Sequence, residues 1–391
     1  MLNAAKRLIS PSARSDVPPF MVMDVMAAAG RIEAAGGRVI HLEVGQPAAP
    51  APATAIAAAR AALAGPLRYT ETLGIPALRA RIATHYGESY GIDVDPARVV
   101  VTTGSSAGFI LAFLALFEAG DRVAVAVPGY PPYRHILKAL GCEPVLIETT
   151  AATRWAITPP MLIAAHRRKP LNGVLVASPA NPTGTMMTRD ALKALHDAAE
   201  GEGIRFISDE IYHGLDYAFP ADSAARLSAN AVVINSFSKY FCMTGWRIGW
   251  MLAPEPLVRP IDRLQGNLAI SVPALSQIAA LAAFEGRAEM ETVKQGYEEN
   301  RRILLAGLPK AGLDDILPVD GAFYLYADIS RFSVDSLDFA RRMLEETHVA
   351  VTPGVDFDPL HGNSFIRFCY AGAAAEMHEA VARIGAWLKR P

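Results

Sequence analysis

The feature that most constrains the fold is an alternation, from about residue 98, of short β-branched apolar runs with longer Ala/Leu-rich segments. Runs such as 99-VVVTT-103 and 122-RVAVAV-127 are apolar throughout, and segments with helical spacing, such as 107–117 and 189–203, lie between most of them. Nearly continuous apolar strands joined by helices are typical of a mainly parallel sheet with helices on both faces. The pattern therefore predicts an α/β domain, with further strands at 173–178, 204–208, 231–236 and 248–252.

The rest of the 391-residue chain differs from this block, and its length also favours two domains. We expect 254-PEPLVRP-260 to end the block, followed by a long helical stretch from about 273 to 308. The remaining sequence mixes strands and helices without a βαβ rhythm, which indicates a smaller α+β domain. The predicted divisions are an N-terminal arm with part of the small domain at 1–45, the large domain at 46–285 and the C-terminal small domain at 286–391.

Composition and charge argue against several classes of protein. A formal net charge of −2 with 51% hydrophobic and 19% charged residues indicates a globular chain that binds neither nucleic acid nor an anionic membrane. The longest apolar run, 109-FILAFLALF-117, is too short for a membrane-spanning helix, and residues 1–20 lack the core of a secretory signal. The 3 scattered cysteines predict neither disulfides nor a metal site. We expect a cytoplasmic protein.

Polar residues follow five of the predicted strands where each strand ends. Carboxyl ends of parallel strands meet at one edge of an open α/β sheet, which is where ligands bind. The first end carries 104-GSSAG-108, whose small residues would let backbone amides at a helix N-terminus approach an anion. This loop lacks the GxGxxG and P-loop patterns of nucleotide-binding proteins. The other ends present Tyr130, Asn181, Asp209 with Tyr212, and Ser236 with Ser238 and Lys239.

Lys239 has unusual neighbours for a lysine. Phe237, Tyr240, Phe241 and Trp246 lie close to it in sequence. Apolar surroundings destabilise an ammonium group, so we expect the pKa of Lys239 to be lowered. A neutral amine is a nucleophile that forms a Schiff base with an aldehyde.

An aldehyde cofactor with a ring nitrogen, a phenolic oxygen and a phosphate would use the remaining groups. Asp209 would pair with a protonated ring nitrogen, and Tyr130 would stack on the ring. Asn181 and Tyr212 would donate hydrogen bonds to the phenolic oxygen. These features describe pyridoxal 5′-phosphate, whose phosphate would be bound by Arg247, Ser236, Ser238, Ser105 and Ser106.

Three motifs, 236-SFSKYFCMTGWRIG-249, 178-SPANPTG-184 and 208-SDEIY-212, resemble those of fold type I pyridoxal-phosphate-dependent aminotransferases of class I/II. The resemblance extends from about residue 38 to 369. It implies a large domain with a mixed, mainly parallel sheet between helices, and a smaller α+β domain. It also implies transfer of an amino group from an L-amino acid to a 2-oxo acid by a ping-pong mechanism. Lys239 would be the Schiff-base lysine and proton shuttle, with Asp209 as the second catalytic residue.

The resemblance adds residues that the spacing of motifs does not identify. Tyr69 matches a tyrosine that reaches the cofactor phosphate of the neighbouring subunit, which implies a homodimer with shared active sites. Gly45 matches a backbone contact to the substrate carboxylate. Arg367 matches the arginine that binds this carboxylate, for which a planar guanidinium is suited. Asn181 is expected to contact the substrate as well as the cofactor.

Several residues compete for the predicted roles. Only one of the adjacent Asp209 and Glu210 should point inward from a strand end, and the family pattern selects Asp209. Tyr133 is the alternative to Tyr130 for stacking on the ring, and the family spacing favours Tyr130. His213 is expected to be structural.

The four candidate serines are not equally suited to bind the phosphate. Ser236 is the preferred ligand, whereas Ser238 could merely cap or pack. Ser105 and Ser106 could contribute only their backbone amides, since a helix cap is their ordinary role.

Substrate preference rests on one departure from the family pattern. Ser106 lies where many members that act on aspartate have a lysine for the distal carboxylate, and burying a carboxylate without a partner is costly. This favours neutral or aromatic donors, with an aspartate aminotransferase as the alternative. A lyase, decarboxylase or cyclopropane-forming enzyme of the same fold is a second alternative. A ligand-sensing regulator would need a DNA-binding domain, for which the segment before 41-HLEVGQP-47 is too short.

Overall fold

Residues 10–390 are described by a computed structural model of the chain. The helices are α1 (Met21–Ala34), α2 (Ala53–Ala62), α3 (Pro76–Tyr90), α4 (Gly104–Leu116), α5 (Pro131–Ala139), α6 (Pro159–Arg168), α7 (Arg189–Gly201), α8 (Glu255–Ala269), α9 (Ala274–Ala283), α10 (Arg287–Ala311), α11 (Ser336–Thr347) and α12 (Ala374–Leu388). The strands are β1 (Ile40–His41), β2 (Val99–Thr102), β3 (Arg122–Val127), β4 (Glu143–Glu148), β5 (Gly173–Ala177), β6 (Arg205–Asp209), β7 (Val232–Ser236), β8 (Gly249–Leu252), β9 (Tyr324–Asp328), β10 (Val349–Ala350), β11 (Thr352–Pro353) and β12 (Phe365–Cys369).

A seven-stranded sheet forms the centre of the larger part, with strand order β2-β8-β7-β6-β5-β3-β4. The neighbours from β7 to β4 pair in parallel, whereas β8 is antiparallel to both β2 and β7. Every residue of β2, β7 and β8 is buried, as expected for a sheet covered on both faces. The prediction of a mixed, mainly parallel sheet between helices is confirmed.

Alternate residues of the central strands pack into two separate hydrophobic cores, because successive side chains of a strand point to opposite faces. Val233 joins the larger core, while its neighbours Val232 and Ile234 join the smaller one. The smaller core also contains Phe109 and Phe113 of α4. The strands are thus held on both sides, which makes their carboxyl ends a rigid support for functional side chains.

The smaller part contains an antiparallel sheet of order β11-β12-β9 and a parallel pair of β1 with β10. The long helix α10 packs against α12 beside these strands. Because β1 pairs with β10, the N-terminal segment joins the C-terminal part of the chain, as the predicted division at 1–45 requires. The domain limits at 45 and 285 stay predictions.

The structure refines two helical predictions and adds one strand that was missed. The large sheet ends with β8, directly before the motif 254–260 as expected, and α8 begins within this motif and continues through Pro260. The stretch from 273 to 308 is divided at 284–286 into α9 and α10, and α10 continues through Pro309 to Ala311. Strand β4 was missed because it is a half-exposed edge strand with glutamate at both ends, so it has no continuous apolar run.

The described residues also bear on membranes and metals. Within 10–390, no helix is long and apolar enough to cross a membrane, and no cluster of His, Cys, Asp and Glu could hold a metal ion. Cys142, Cys242 and Cys369 are buried free thiols.

Candidate active site

The topology of the sheet brings distant residues to one edge. Strands β2, β3, β5, β6 and β7 run in the same direction, so their carboxyl ends share that edge. Strand β8 runs the other way, and Gly249 at its start lies beside Ser236 and Thr102 at the ends of β7 and β2. Arg247, two residues before β8, therefore lies at the same edge. A Cβ on Gly104, whose φ is +73°, would lie 2.6 Å from Nη2 of Arg247, so glycine allows this guanidinium to approach the start of α4.

A cavity of ≈160 Å³ opens at this edge of the sheet. It combines side chains from the strand ends with residues of the N-terminal segment and of the small antiparallel sheet. The predicted site residues that line it are Gly45, Ser105, Ser106, Tyr130, Asn181, Asp209, Tyr212, Ser238, Lys239, Arg247 and Arg367.

Two predicted site residues lie outside this cavity. The hydroxyl of Ser236 is within hydrogen-bond distance of both Oγ of Ser238, at 2.8 Å, and the carbonyl of Ile248, at 3.0 Å. Ser236 lines a neighbouring cavity, whereas Ser238 lines this one, and the ranking of the two serines as phosphate ligands stays a prediction. Tyr69 is 81% exposed and contributes nothing to the cavity of its own chain.

Lys239 lies at the centre of the cavity. Its Nζ donates to the carbonyl of Gly45 at 2.5 Å and lies 5.9 Å from the ring centroid of Tyr212. Burial, assisted by the positive charges of Arg367 and Arg247, lowers the pKa of Lys239 to about 8. The shift has the expected direction, and about a tenth of the amine is neutral at pH 7.

This pKa gives a direct prediction for the cofactor-free protein. Only the neutral amine attacks an aldehyde, so the rate of covalent capture of pyridoxal 5′-phosphate should rise about tenfold per pH unit below pH 8 and level off above it. Stopped-flow absorbance between pH 6 and pH 10 measures this rate, with Lys239→Arg as the control. A profile that still rises steeply to pH 10 would show that burial does not perturb the amine.

Asp209 is 2% exposed and faces the cavity from the end of β6. The hydroxyl of Tyr133 donates to its Oδ2, and the amide of Ile211 donates to Oδ1 at 3.0 Å. Burial raises the pKa of Asp209 to about 6, although these two hydrogen bonds favour the ionised form. The carboxylate therefore carries its charge at neutral pH, and its oxygens are held in a fixed orientation.

Tyr133 has a role that the sequence interpretation missed. It was considered only as an alternative ring for stacking, but its hydroxyl points at Asp209. Its ring meets that of Tyr130 edge to face, with centroids 5.2 Å apart and planes at 79°. The spacing of three residues at the start of α5, which places both tyrosines on one side, was the available signal.

Glu210 and His213 bind partners outside the cavity. Glu210 accepts hydrogen bonds from Ser223 Oγ and from the amide of Ala224, both at 2.8 Å. Nε2 of His213 donates to the carbonyl of Ser178 at 3.0 Å, which leaves Nδ1 to accept from the hydroxyl of Tyr90 at 2.8 Å. Both side chains are buried and satisfied by local structure.

Arg367 also lines the cavity and is 2% exposed. Its Nη1 donates to Oδ1 of Asn181 at 2.9 Å, and its Nη2 donates to Oγ1 of Thr352 at 3.1 Å and to the carbonyl of Glu43. These contacts hold the guanidinium in one orientation, while its buried Nε has no hydrogen-bond partner among residues 10–390.

The charge of Arg367 is not balanced within the described chain. Its partners are neutral oxygens, and the rings of Tyr324 and Phe357 lie 4.4 and 4.6 Å from its Cζ. No carboxylate of residues 10–390 lies within ion-pair distance of the guanidinium. A buried cation without a counter-ion is costly, so this end of the cavity is suited to a ligand carboxylate.

Tyr324 is a second residue that the sequence interpretation missed. Its hydroxyl forms a 2.7 Å hydrogen bond with that of Tyr212. A Cβ on Gly45 would lie 1.9 Å from the same hydroxyl. Only glycine at position 45 lets this segment pass so close to Tyr324, and its carbonyl is thereby brought to Lys239.

The cavity therefore has three chemically different regions. Hydroxyl groups, the guanidinium of Arg247 and the N-terminus of α4 form an anion-binding end that is suited to a phosphate. Arg367 and Asn181 form a carboxylate-binding end. Between them lie a nucleophilic amine and an ionised carboxylate, Lys239 and Asp209.

Comparisons with known proteins agree with this arrangement. A sequence model of the family "Aminotransferase class I and II" matches residues 37–384. Valine–pyruvate aminotransferase of Mycobacterium tuberculosis is 52% identical over 380 residues, covering 96% of this chain and 97% of that protein. An aspartate aminotransferase of Geobacillus stearothermophilus is 31% identical over 397 residues, with 98% of both chains covered.

A solved structure extends the comparison to the fold. The crystal structure of an aminotransferase from Mycobacterium tuberculosis superposes with a TM-score of 0.94 at 51% sequence identity, covering 97% of this chain and 99% of the other. Since the family model and these relatives span nearly the whole chain, the protein belongs to the class I and II aminotransferase family.

Proposed function

We propose that this aminotransferase uses pyridoxal 5′-phosphate to move the amino group of a neutral L-amino acid to a 2-oxo acid. The observation that carries the proposal is that Lys239, an amine of lowered pKa, lines the same cavity as Arg247 and Arg367, two guanidinium groups without a carboxylate partner among residues 10–390. Members of this family generally depend on this cofactor, and the activity of the whole enzyme class rests on an amine that binds an aldehyde.

The residues of the cavity fit the proposed cofactor. Arg247 and the serine hydroxyls would bind its phosphate, Tyr130 would lie against its ring, and Asn181 and Tyr212 would contact its phenolic oxygen. When bound, the cofactor supplies an aldehyde for the amino group and a ring that accepts the electrons released at the α-carbon. Tyr324 supports this arrangement, because its hydrogen bond fixes the hydroxyl of Tyr212.

Arg367 orients the substrate in this proposal. Its guanidinium binds the α-carboxylate together with Asn181 and the backbone at Gly45, and burial strengthens this interaction relative to water. A carboxylate fixed at that end places the α-carbon on the side of Lys239. Binding of the carboxylate therefore orients the bond between the α-carbon and its hydrogen, which must break in the reaction.

Lys239 then acts as the general base. A pKa of about 8 lies close enough to neutral pH for the amine both to take the α-proton and to return it. Asp209 is ionised at neutral pH, and with the cofactor bound its carboxylate would favour a positive charge on the ring nitrogen and so stabilise negative charge at the α-carbon. Tyr133 and the amide of Ile211 keep the carboxylate in place for this role.

The charges of the cavity support a neutral donor. The charged residues that line the cavity in the described chain are Asp209, Lys239, Arg247 and Arg367. Each already has a role in this proposal: Lys239 transfers the proton, Asp209 and Arg247 bind the cofactor, and Arg367 binds the α-carboxylate. No cation of residues 10–390 is left to pair with a distal carboxylate, which would be costly to bury alone. The 52% identity with valine–pyruvate aminotransferase, against 31% with the aspartate aminotransferase, points the same way and suggests pyruvate as the acceptor.

We also propose that two chains form a homodimer with shared active sites. Four exposed apolar side chains lie on two neighbouring segments: Leu67 and Tyr69 on the loop after α2, and Leu268 and Ile270 at the end of α8. The amide of Thr70 donates to Oγ of Ser271 at 3.4 Å, which ties these segments together. An apolar patch of this kind is suited to a second copy, and it would carry Tyr69 to the partner's phosphate site. The cytoplasmic location stays a prediction.

A half-reaction screen tests the proposed reaction. The purified, cofactor-loaded protein is mixed with single amino acids, and the absorbance of the bound cofactor is followed. We expect valine and other neutral amino acids to convert the cofactor to its amine form at least about tenfold faster than aspartate, and pyruvate to restore it. A preference for aspartate would contradict the neutral donor. Release of ammonia without formation of the amine form would support the alternative of a lyase.

A further inference from the structure

The N-terminal helix contributes one wall of the cavity. Phe20, the residue before α1, and Val22 and Met23 in its first turn line the same cavity as the polar strand ends. The ring of Phe20 meets that of Tyr130 edge to face at 6.0 Å, and Val22 is 4% exposed. None of the three side chains carries a charge or a strong hydrogen-bonding group. This wall can therefore accept an apolar side chain but offers no partner to a polar one.

The start of α1 has no cap from its own sequence. The residue at its N-cap position is Phe20, whose side chain cannot accept hydrogen bonds from the first amides of the helix. Oδ1 of Asp356 accepts from the amide of Met21 at 3.4 Å, although 335 positions separate these residues in the chain. Asp356 thus caps α1 from the opposite end of the sequence.

Asp356 is itself buried, and its backbone is bound by a neighbouring helix. It is 1% exposed, and Arg134 of α5 donates through Nη2 to its backbone carbonyl at 2.5 Å. The carboxylate places a negative charge at the positive end of the helix dipole, which stabilises this end of α1. The next residue, Phe357, places its ring 4.6 Å from Cζ of Arg367. The same short segment therefore contacts both the start of α1 and the arginine at the carboxylate-binding end.

We infer that Asp356 is a positioning residue for substrate selection: it anchors the start of α1 so that Phe20, Val22 and Met23 form an apolar wall against the donor's side chain. The choice of a neutral, apolar donor then depends on this contact between the two ends of the chain. A charged donor side chain would lose its hydration against this wall without gaining a partner. The inference rests on the proposed function for the identity of the reaction, but the anchoring contact can be measured separately.

The first test compares Asp356→Ala and Asp356→Asn in the cofactor-loaded enzyme. Alanine removes the acceptor, so amides in the first turn of α1 should exchange with deuterium at least about fivefold faster, as loss of a helix cap predicts. The KM for valine should rise about tenfold with kcat changed less than about twofold, because the wall acts in binding rather than in chemistry. Asparagine keeps a neutral oxygen acceptor and should restore part of both properties.

A matched control and a second variant separate anchoring from general stability. Asp358→Asn alters another buried aspartate of the same segment, whose Oδ1 accepts from the amides of Leu360 and His361 at 2.8 and 3.1 Å rather than from α1. It should leave the exchange of α1 unchanged. Met23→Arg places a cation in the wall at a residue that is 47% exposed and can accept a longer side chain. It should raise the rate with aspartate relative to valine at least about tenfold, with the anchor intact.

The outcomes distinguish the inference from the proposed function. Unchanged exchange of α1 in Asp356→Ala would overturn the anchor. Faster exchange with an unchanged KM for valine, or an unchanged donor ratio in Met23→Arg, would overturn the role in selection. The proposed function is tested first, on the wild-type enzyme, and it fails if that enzyme prefers aspartate or transfers no amino group.

Discussion

Replacement of Lys239 by alanine is expected to lower kcat/KM for every amino acid by at least about 10⁴-fold. The side chain has two tasks in the proposed reaction, since it binds the cofactor's aldehyde and carries the α-proton. General acid–base catalysis alone contributes about 10²–10⁴-fold, and loss of the covalent attachment adds to this. Among the described residues that line the cavity, no other amine could take over either task. Steady-state kinetics measures the loss.

A spectroscopic measurement and a control make this prediction specific. The absorbance band of the covalently attached cofactor should be absent from Lys239→Ala, although the phosphate site is intact. Lys193→Ala alters a lysine on α7 whose side chain is 59% exposed and pairs with Asp197 at 2.5 Å. This control should change kcat/KM less than about twofold, because exposed pairs of this kind contribute little. Retention of the band in Lys239→Ala would show that another residue binds the aldehyde.

Replacement of Asp209 by asparagine is expected to lower kcat by about 10²–10³-fold while the cofactor remains bound. Asparagine has nearly the same shape, but it is neutral and cannot hold a positive charge on the ring nitrogen. The expected magnitude is that of removing one well-placed electrostatic group from an active site. The phosphate-binding end is unchanged, so equilibrium dialysis should show a cofactor Kd within about fivefold of the wild-type value. Steady-state kinetics gives kcat.

The adjacent carboxylate provides a matched control for Asp209. Glu210 is 1% exposed and is bound by Ser208, Ser223 and the amide of Ala224, outside the cavity. Glu210→Gln should lower Tm, because buried hydrogen bonds to a charge are weakened, but should leave kcat within about threefold. Normal turnover by Asp209→Asn would contradict the assignment of the ring-nitrogen partner. A larger loss of kcat in Glu210→Gln would mean that the two carboxylates had been assigned the wrong way round.

Much of the fold and most of the cavity could be predicted from local sequence. The six strands predicted from apolar runs all occur, with ends that differ from the prediction by at most one residue. Eleven of the predicted site residues line one cavity, because parallel strands necessarily bring their carboxyl ends to one edge. Strand β4 escaped prediction because an exposed edge strand has no apolar pattern, and the local pattern did not predict that α8 continues through Pro260.

The sequence by itself determined the chemistry of the site: an amine with apolar neighbours, an aspartate at a strand end and an arginine eight residues after the lysine. These follow from covalent order and from strand periodicity, which are local properties. Only the tertiary structure decided that Ser238 rather than Ser236 lines the cavity, that Tyr133 binds Asp209 and that Asp356 caps α1. The physical reason is that each of these depends on the orientation of side chains from separate elements, and no local pattern of polar and apolar residues encodes a contact across 335 positions.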